Sequence, residues 1–311
     1  MSGFSNSWLG PIYNRIINGD MRIDQRNAGA SQTFTAAAAI AYCVDRFYGN
    51  CTGANVTGQQ VAGTSPDQFA YKFTGAASVT AIVFGQRIER TNIYDLVSTT
   101  ATFSVGLANS LLTTVTWTAY YPTANDDFTA KTQIATGTFT VSSTMTQYSV
   151  QIALGANITA GLAIELSVGA QTSGTWQIEN FSLVAGTTAL PFEREPIQQQ
   201  LALCQRYYQK SYPQGSVPGA SLSRNAITNV SRAADQLDRW TATFLVVMRA
   251  IPTIVVYSTT GASGNVRNLS APADVTCGTS GIDDRGFVVN PTANTASGSI
   301  YAFQFTASAE L

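Results

Sequence analysis

The sequence predicts an all-β protein: a jelly-roll β-sandwich joined by one short helix to a smaller C-terminal β domain. Three observations carry this. Short runs with period-two alternation recur from Ser78 to Val184 between Gly, Asn and Thr breaks, the mark of strands with one face buried. A single helical pattern follows, near Pro196. Strand-like runs resume after Pro213 and continue to the end of the 311-residue chain, a length that suits two modest domains.

In the first domain, residues 14–192, Phe103, Val105 and Leu107 form one predicted inward face, and Val115, Trp117 and Ala119 another. Leu162, Ile164, Leu166 and Val168 form a third. Trp176 and Ile178 begin a fourth that continues, after a phase shift, through Phe181 and Leu183. With no long helix between them, such strands fit an antiparallel sandwich or jelly roll.

The joint is assigned to residues 193–212. Pro196 at a helix start, Glu193 and Glu195 just ahead of it, and the helix formers after it predict a helix to about Tyr212, which Pro213 ends. Ile197, Leu201, Cys204 and Tyr208 are spaced 4, 3 and 4, a heptad-like stripe two turns long. It packs either on its own domain or on copies of itself around a symmetry axis, and the stripe is too short to choose. The tip domain, residues 213–311, is expected to hold strands at Thr241–Met248, Thr253–Ser258, Arg285–Asn290 and Ser299–Ala307, where Tyr301, Phe303 and Phe305 alternate.

Composition excludes several functions. Charged residues make up 11% and the net charge is −1, whereas Thr occurs 39 times. No basic stripe is present to follow a phosphate backbone, so nucleic acid is not an expected partner. His is absent, which removes the commonest general base and metal ligand. No cofactor, metal or catalytic residue is predicted. Arg outnumbers Lys 14 to 3, a bias toward bidentate pairing within interfaces. The longest apolar run, Ala36 to Val44, is nine residues, and with no signal-peptide pattern at the start this predicts a soluble protein made in a cytoplasm, without membrane insertion. Cys43, Cys51, Cys204 and Cys277 have no C-x-x-C spacing and read as small buried hydrophobes, with a Cys43–Cys51 bridge left open.

Certain segments carry a resemblance. Asn14 to Asn27 (NRIINGDMRIDQRN), Tyr42 to Phe47 (YCVDRF), Leu190 to Pro196 (LPFEREP) running into Leu201 to Tyr208 (LALCQRYY), Met248 to Ile254 (MRAIPTI) and the terminal Ala307 to Leu311 (ASAEL) together resemble a family of tailed-bacteriophage virion proteins. The resemblance implies a fibre or spike with a jelly roll like carbohydrate-binding modules, usually trimeric, assembled in the host cytoplasm and displayed on the virion. Across the first two of these segments, Arg15, Arg22, Arg26 and Arg46 alternate with Asp20, Asp24 and Asp45, so charges can pair locally or across subunits. Residues 1–13, with Phe4, Trp8, Ile12 and Tyr13, form an apolar arm suited to docking on other virion proteins.

For glycan recognition, aromatic faces beside amides and hydroxyls are the candidates: Tyr120 and Tyr121 before the turn at Pro122–Asp127, Tyr94 in another loop, and Asn265 and Asp283 in the polar stretches Gly261–Asn268 and Cys277–Arg285. The leading expectation is a non-enzymatic tail fibre or spike protein, a homotrimer that binds host surface glycan with avidity. A capsid head fibre or decoration protein is the alternative, and a polysaccharide depolymerase the third. A depolymerase needs two carboxylates about 5 to 10 Å apart. Asp126–Asp127 and Asp283–Asp284 read as turn chemistry, which leaves Asp95, Glu165 and Glu179 as dispersed acids that sequence cannot pair.

Overall fold

A computed structural model describes residues 14–222, 226–231, 238–292 and 297–311. The expected docking arm, with Phe4, Trp8, Ile12 and Tyr13, lies outside the described residues. Antiparallel strands dominate both parts of the chain. In the first, they run β1 (Gln32–Phe34), β2 (Ala41–Tyr42), β3 (Phe47–Thr52), β4 (Val56–Ala62), β5 (Phe69–Thr74), β6 (Ala81–Ile88), β7 (Thr100–Asn109), β8 (Thr114–Ala124), β9 (Asp127–Thr140), β10 (Thr146–Ala153), β11 (Leu162–Val168) and β12 (Thr175–Ala185). They form two six-stranded sheets, ordered β1-β4-β5-β12-β7-β10 and β2-β3-β6-β11-β8-β9. Successive strands cross repeatedly from one sheet to the other, as in a jelly roll.

The alternation in sequence is what makes the core. Phe103, Val105 and Leu107 of β7, Val115, Trp117 and Ala119 of β8, and Leu162, Ile164, Leu166 and Val168 of β11 are all buried. Aromatic rings fill the space between the sheets: Phe47 stacks on Phe84 at 4.9 Å and Phe73 on Trp176 at 5.6 Å between centroids, geometries that add to area burial. The phase shift in β12 is a β-bulge. Pairing with β7 slips between Glu179 and Ser182, where Asn180 takes a φ of 48°, so Phe181 and Leu183 return to the core side.

The helix, α1, spans Ile197–Gln205 with Pro196 as its N-cap, shorter than the pattern predicts. Tyr207 and Tyr208 fit a helical pattern by type, but the chain leaves the helix before them. Tyr207 is buried beneath Arg46, and Tyr208 opens β13 (Tyr208–Lys210), where it pairs with Ser308. The predicted stripe therefore does not form one seam. Cys204 is fully buried among Ile17, Ile23, Phe128 and Leu311 of the same chain, with Leu201 packed at the edge of that cluster. Tyr208 lies under Arg26, whose guanidinium is 3.8 Å from its ring centroid. Ile197 alone of the four stays exposed, beside a fifth residue, Leu203.

The second part contains β14 (Ile227–Val230), β15 (Trp240–Thr243), β16 (Thr253–Ser258), β17 (Asn265–Asn268), β18 (Ala273–Ser280), β19 (Gly286–Pro291) and β20 (Ile300–Ser308). With β13 they run in the order β13-β20-β17-β18-β19-β15, and β14 and β16 also pair with β20. Trp240, Met248, Phe287, Tyr301, Phe303 and Phe305 contribute to its core. The run expected as a strand to Met248 ends at Thr243, and β17 and β18 occupy stretches expected as loops.

The segments that carry the virion-protein resemblance meet at the joint. The Asn18 side chain donates to the carbonyls of Ile23 (2.8 Å) and Asp45 (3.0 Å). Its backbone N–H donates to Oε1 of Gln200 on α1 (2.8 Å). Gln25 donates to Asp45 (2.5 Å) and to the Tyr208 carbonyl (2.9 Å). Arg26 pairs with Glu310 at 3.0 Å and Asp45 at 3.6 Å, and Arg46 pairs with Glu310 as well. Arg206 grips Glu89 through two hydrogen bonds, 2.8 and 3.1 Å, and Arg249 donates to the carbonyls of Ala309 and Glu310. The charges of the N-terminal motif thus pair within one chain, clamping the first domain to the helix and to the last five residues.

Candidate functional site

In β11 the core takes Leu162, Ile164, Leu166 and Val168, so Ala163, Glu165 and Ser167 face outward. Register then sets their neighbours. Glu165 lies opposite Gly85 of β6 and Thr118 of β8; Gly85 lies opposite Tyr48 of β3, and Thr118 opposite Thr136 of β9. One row along, Arg87, Ala163, Tyr120 and Gln133 align across four of these five strands, β6, β11, β8 and β9. The outward face of this sheet consequently gathers two tyrosines, an arginine, a glutamate and several hydroxyls.

These groups are organised around Glu165, which is only 8% exposed. The Tyr48 hydroxyl donates to its Oε1 at 2.6 Å, and Lys131 reaches back from β9 to pair with the same oxygen. The Lys131 ammonium sits 4.1 Å from the centroid of the Tyr120 ring, a cation–π contact. Burial first, and then the adjacent Glu165 charge, push the Tyr48 hydroxyl well above its usual pKa, which keeps it a donor. Burial likewise raises Tyr120, with Glu165 adding to the effect. Gly85 matters here, because a Cβ would stand 2.6 Å from the Ile164 carbonyl and 2.9 Å from the Glu165 Cγ.

The second domain's end forms a wall beside this face. The Tyr42 hydroxyl donates to the Leu311 carbonyl at 2.6 Å, as does Arg87, and the Arg87 guanidinium lies 5.0 Å from the Tyr48 ring centroid and 5.3 Å from that of Phe128. Away from the wall the face opens onto half-buried Thr116 and Ser167 and exposed Gln133, Thr136 and Thr138. An aromatic ring capped by a charge and surrounded by hydroxyls and an amide can stack on the apolar face of a polyol and bond its hydroxyls. Tyr120 was foreseeable from its place before a turn. Tyr48, Lys131 and Arg87 were not, since only the register brings them to Glu165.

The other expected recognition residues do not join this site. Tyr121 follows Tyr120 and packs instead against the first core. Tyr94 stands 75% exposed on the 3-10 turn Tyr94–Leu96, next to Asp95, which pairs with Arg15. Asn265 lies on β17, its amide donating to the Ser263 carbonyl at 2.7 Å. Asp283 accepts from the backbone N–H groups of Arg285 (2.8 Å) and Gly286 (2.9 Å). That is the turn chemistry expected of it, and Asp127 behaves similarly, accepting from the Thr129 N–H at 3.0 Å, whereas Asp126 accepts from the distant Arg90 N–H at 2.7 Å.

The dispersed acids stay dispersed. Glu165 projects from the outer face of one sheet. Glu179, paired in register with Gly106, projects from the outer face of the other, and packed sheets are separated by about 10 Å. Burial raises the Glu179 carboxyl, against a hydrogen bond from the Thr64 N–H. Among the described residues no group of three or more His, Cys, Asp or Glu is placed to hold a metal ion, and no helix is long and apolar enough to cross a membrane. The four cysteines are free.

No family model matches the sequence, and no curated protein matches it either. Solved structures similar in fold include a carbohydrate-binding module described under "CBM4 structure and function", at 12% identity and a TM-score of 0.36, covering 54% of this chain and 98% of that one. TmCBM61, solved in complex with beta-1,4-galactotriose, matches at 10% identity and 0.35, covering 56% and 99%. The enzymatically active domain of bacteriophage CBA120 tailspike protein 4 matches at 14% identity and 0.36, covering 56% of this chain but 21% of that one. At this level of similarity no residue of this chain is matched to a binding residue of theirs.

Proposed function

We propose that this chain is a glycan-binding structural protein of a fibre or spike on a bacteriophage particle, acting by adhesion and without catalysis. One observation carries the glycan reading: the outer face of the β2-β3-β6-β11-β8-β9 sheet, where Tyr120, capped by Lys131 and backed by the Tyr48–Glu165 pair, adjoins a field of Thr hydroxyls. Hydrophobic alternation requires only that such a face be polar. It does not require an aromatic ring, a buried carboxylate and a lysine to converge there. The separation of Glu165 from Glu179 on opposite sheets supports binding over hydrolysis, which needs paired carboxylates. The virion assignment rests on the five motif segments, and their convergence on one joint supports reading them as a unit.

Binding of purified host surface polysaccharide by the full chain tests the proposal. Tyr120→Ala is expected to weaken binding at least tenfold, about 1.4 kcal/mol, without shifting the thermal midpoint by more than a few degrees. Retained binding in that variant, or no binding by the parent chain, would overturn the site. Gold-tagged antibody on intact particles tests the location: label at the tail supports a tail fibre or spike, and label over the capsid replaces that reading with a head fibre.

A further inference from the structure

Between the last turn of α1 and the second domain lies a cavity of about 420 Å³, within the roughly 300–1,000 Å³ of small-molecule sites. Most of its polar lining is already engaged. Gln209 donates to the Val246 carbonyl (2.5 Å) and accepts from the Leu245 N–H (2.9 Å). Ser211 donates to Gln304 and accepts from the Phe305 N–H. These bonds fix the wall in place.

Two groups on that wall are different. Gln205 is only 6% exposed, yet its side-chain amide has no hydrogen-bond partner among the described residues. Its amide atoms are not sealed from solvent, so a donor and an acceptor stand open to a ligand in the cavity. Lys210, 4% exposed, donates to the carbonyls of Gln214 (2.9 Å) and Ser216 (2.7 Å). It forms no ion pair among the described residues, so its ammonium has one N–H left and only dipoles as direct partners. Burial lowers its pKa to about 8, opposed by the more distant Asp45 and Asp24, which leaves it mostly charged at neutral pH. Ile227, Phe305 and the exposed Leu245 supply an apolar side.

We infer that this cavity is a second binding site, for a carboxylate-bearing sugar residue whose acid group meets Lys210 and whose hydroxyls meet the Gln205 amide. The carboxylate follows from the unpaired ammonium. Its sugar carrier rests on the glycan-binding reading above. The site itself is separate from the Tyr120 face and has its own variants.

The experiment is calorimetric titration of the full chain with D-glucuronate, D-glucose and acetate. Glucuronate is expected to bind at least about tenfold more tightly than either glucose or acetate. Gln205→Leu and Lys210→Met should each weaken glucuronate about tenfold, and Leu245→Trp, which fills the mouth, should abolish binding. Should Lys210→Met fail to fold, Gln205→Leu and Leu245→Trp still decide. Tyr120→Ala should leave glucuronate affinity unchanged, so the two sites fail independently. Equal binding of glucose and glucuronate would remove Lys210 from the site. Equal binding of acetate would make it a simple anion site. Heat from none of the three probes would mean that the cavity holds water only, and any of these results overturns the proposal.

Discussion

The guanidinium of Arg46 lies 3.5 Å from the ring centroid of Tyr207 and is almost fully buried. One residue comes from just before β3 and the other from the exit of α1; Arg46 pairs with Glu310, and the Tyr207 carbonyl accepts from the Ala309 N–H at 2.8 Å. Such a contact orients the two domains, because a buried charge tolerates neither rotation nor separation of its partners.

Removing one partner should therefore be costly. Glu310→Ala is expected to lower unfolding free energy by about 3–5 kcal/mol, since it strands the buried Arg46 and takes from Arg26 one of its two acidic partners. The double variant Arg46→Met/Glu310→Ala should lose less than the sum of its singles. Urea denaturation of the four proteins checks this, and additive losses would mean that the pair is not coupled.

Stability should depend on pH through Asp45. Burial, outweighing Arg26 and the Gln25 hydrogen bonds, raises its carboxyl to about 6 from an ordinary 3.8. An acid with a raised folded pKa adds stability in full below the unfolded value, and this is lost as pH rises through about 6. The gain from pH 7 to pH 4 is on the order of 3 kcal/mol. Glu89 works in the opposite direction. Burial raises it, but hydrogen bonds from Arg206 and Tyr207 hold it below its usual value overall. Asp45→Asn leaves Glu89 in place, so the difference between parent and variant melting curves isolates Asp45. Parallel curves at every pH would refute the assignment.

Backbone contact leaves no room at Gly19. A Cβ there would stand 2.1 Å from the Phe181 carbonyl oxygen, and the Gly19 carbonyl itself accepts from the Phe181 N–H. Gly19→Ala should cost about 1–3 kcal/mol. Gly155, whose added Cβ would meet nothing within 4 Å, serves as the control and should change stability by less than about 0.5 kcal/mol. Thermal midpoints of the two variants give the comparison.

Thiol chemistry offers an independent check of the core. Cys43, Cys51 and Cys204 are buried, and burial raises Cys43 to about 12 and Cys277 to about 11. A disulfide-exchange reagent at pH 8 should label none of the four rapidly in the folded protein and all four after denaturation. Fast labelling of Cys204 would place α1 away from Ile17 and Phe128.

Assembly has its own readout. The chain that pairs within itself at Cys204 and Tyr208 leaves Ile197 and Leu203 as the exposed apolar side chains of α1. In the trimer implied by the virion-protein resemblance, light scattering should give three times 33.0 kDa. The double variant Ile197→Asp/Leu203→Asp should then fall to a single chain mass. A parent protein already at one chain mass would remove the trimer.

Strand periodicity was legible wherever one face was strongly buried. The alternation in β7, β8 and β11, and the phase shift at Glu179–Ser182, appear in the structure as written in the residues. β17 and β18 were not legible, because Asn265–Asn268 and Ala273–Ser280 place few apolar groups inward and their Ser, Gly and Asn content has the composition of loops. The helix was overextended for the opposite reason: Tyr207 and Tyr208 fit its period, and only their burial in the joint shows that they belong to the turn and to β13.

Local residue type and spacing were enough to give the all-β class, a helix between two β regions, the lack of histidine chemistry and the turn roles of Asp127 and Asp283. Tertiary structure alone decided that the alternating charges of the N-terminal motif close on the last five residues. It likewise decided that Tyr48, Lys131 and Tyr120 surround Glu165. Those pairings join residues from 34 to well over 200 positions apart, and strand register and domain docking, which no local pattern encodes, bring them together.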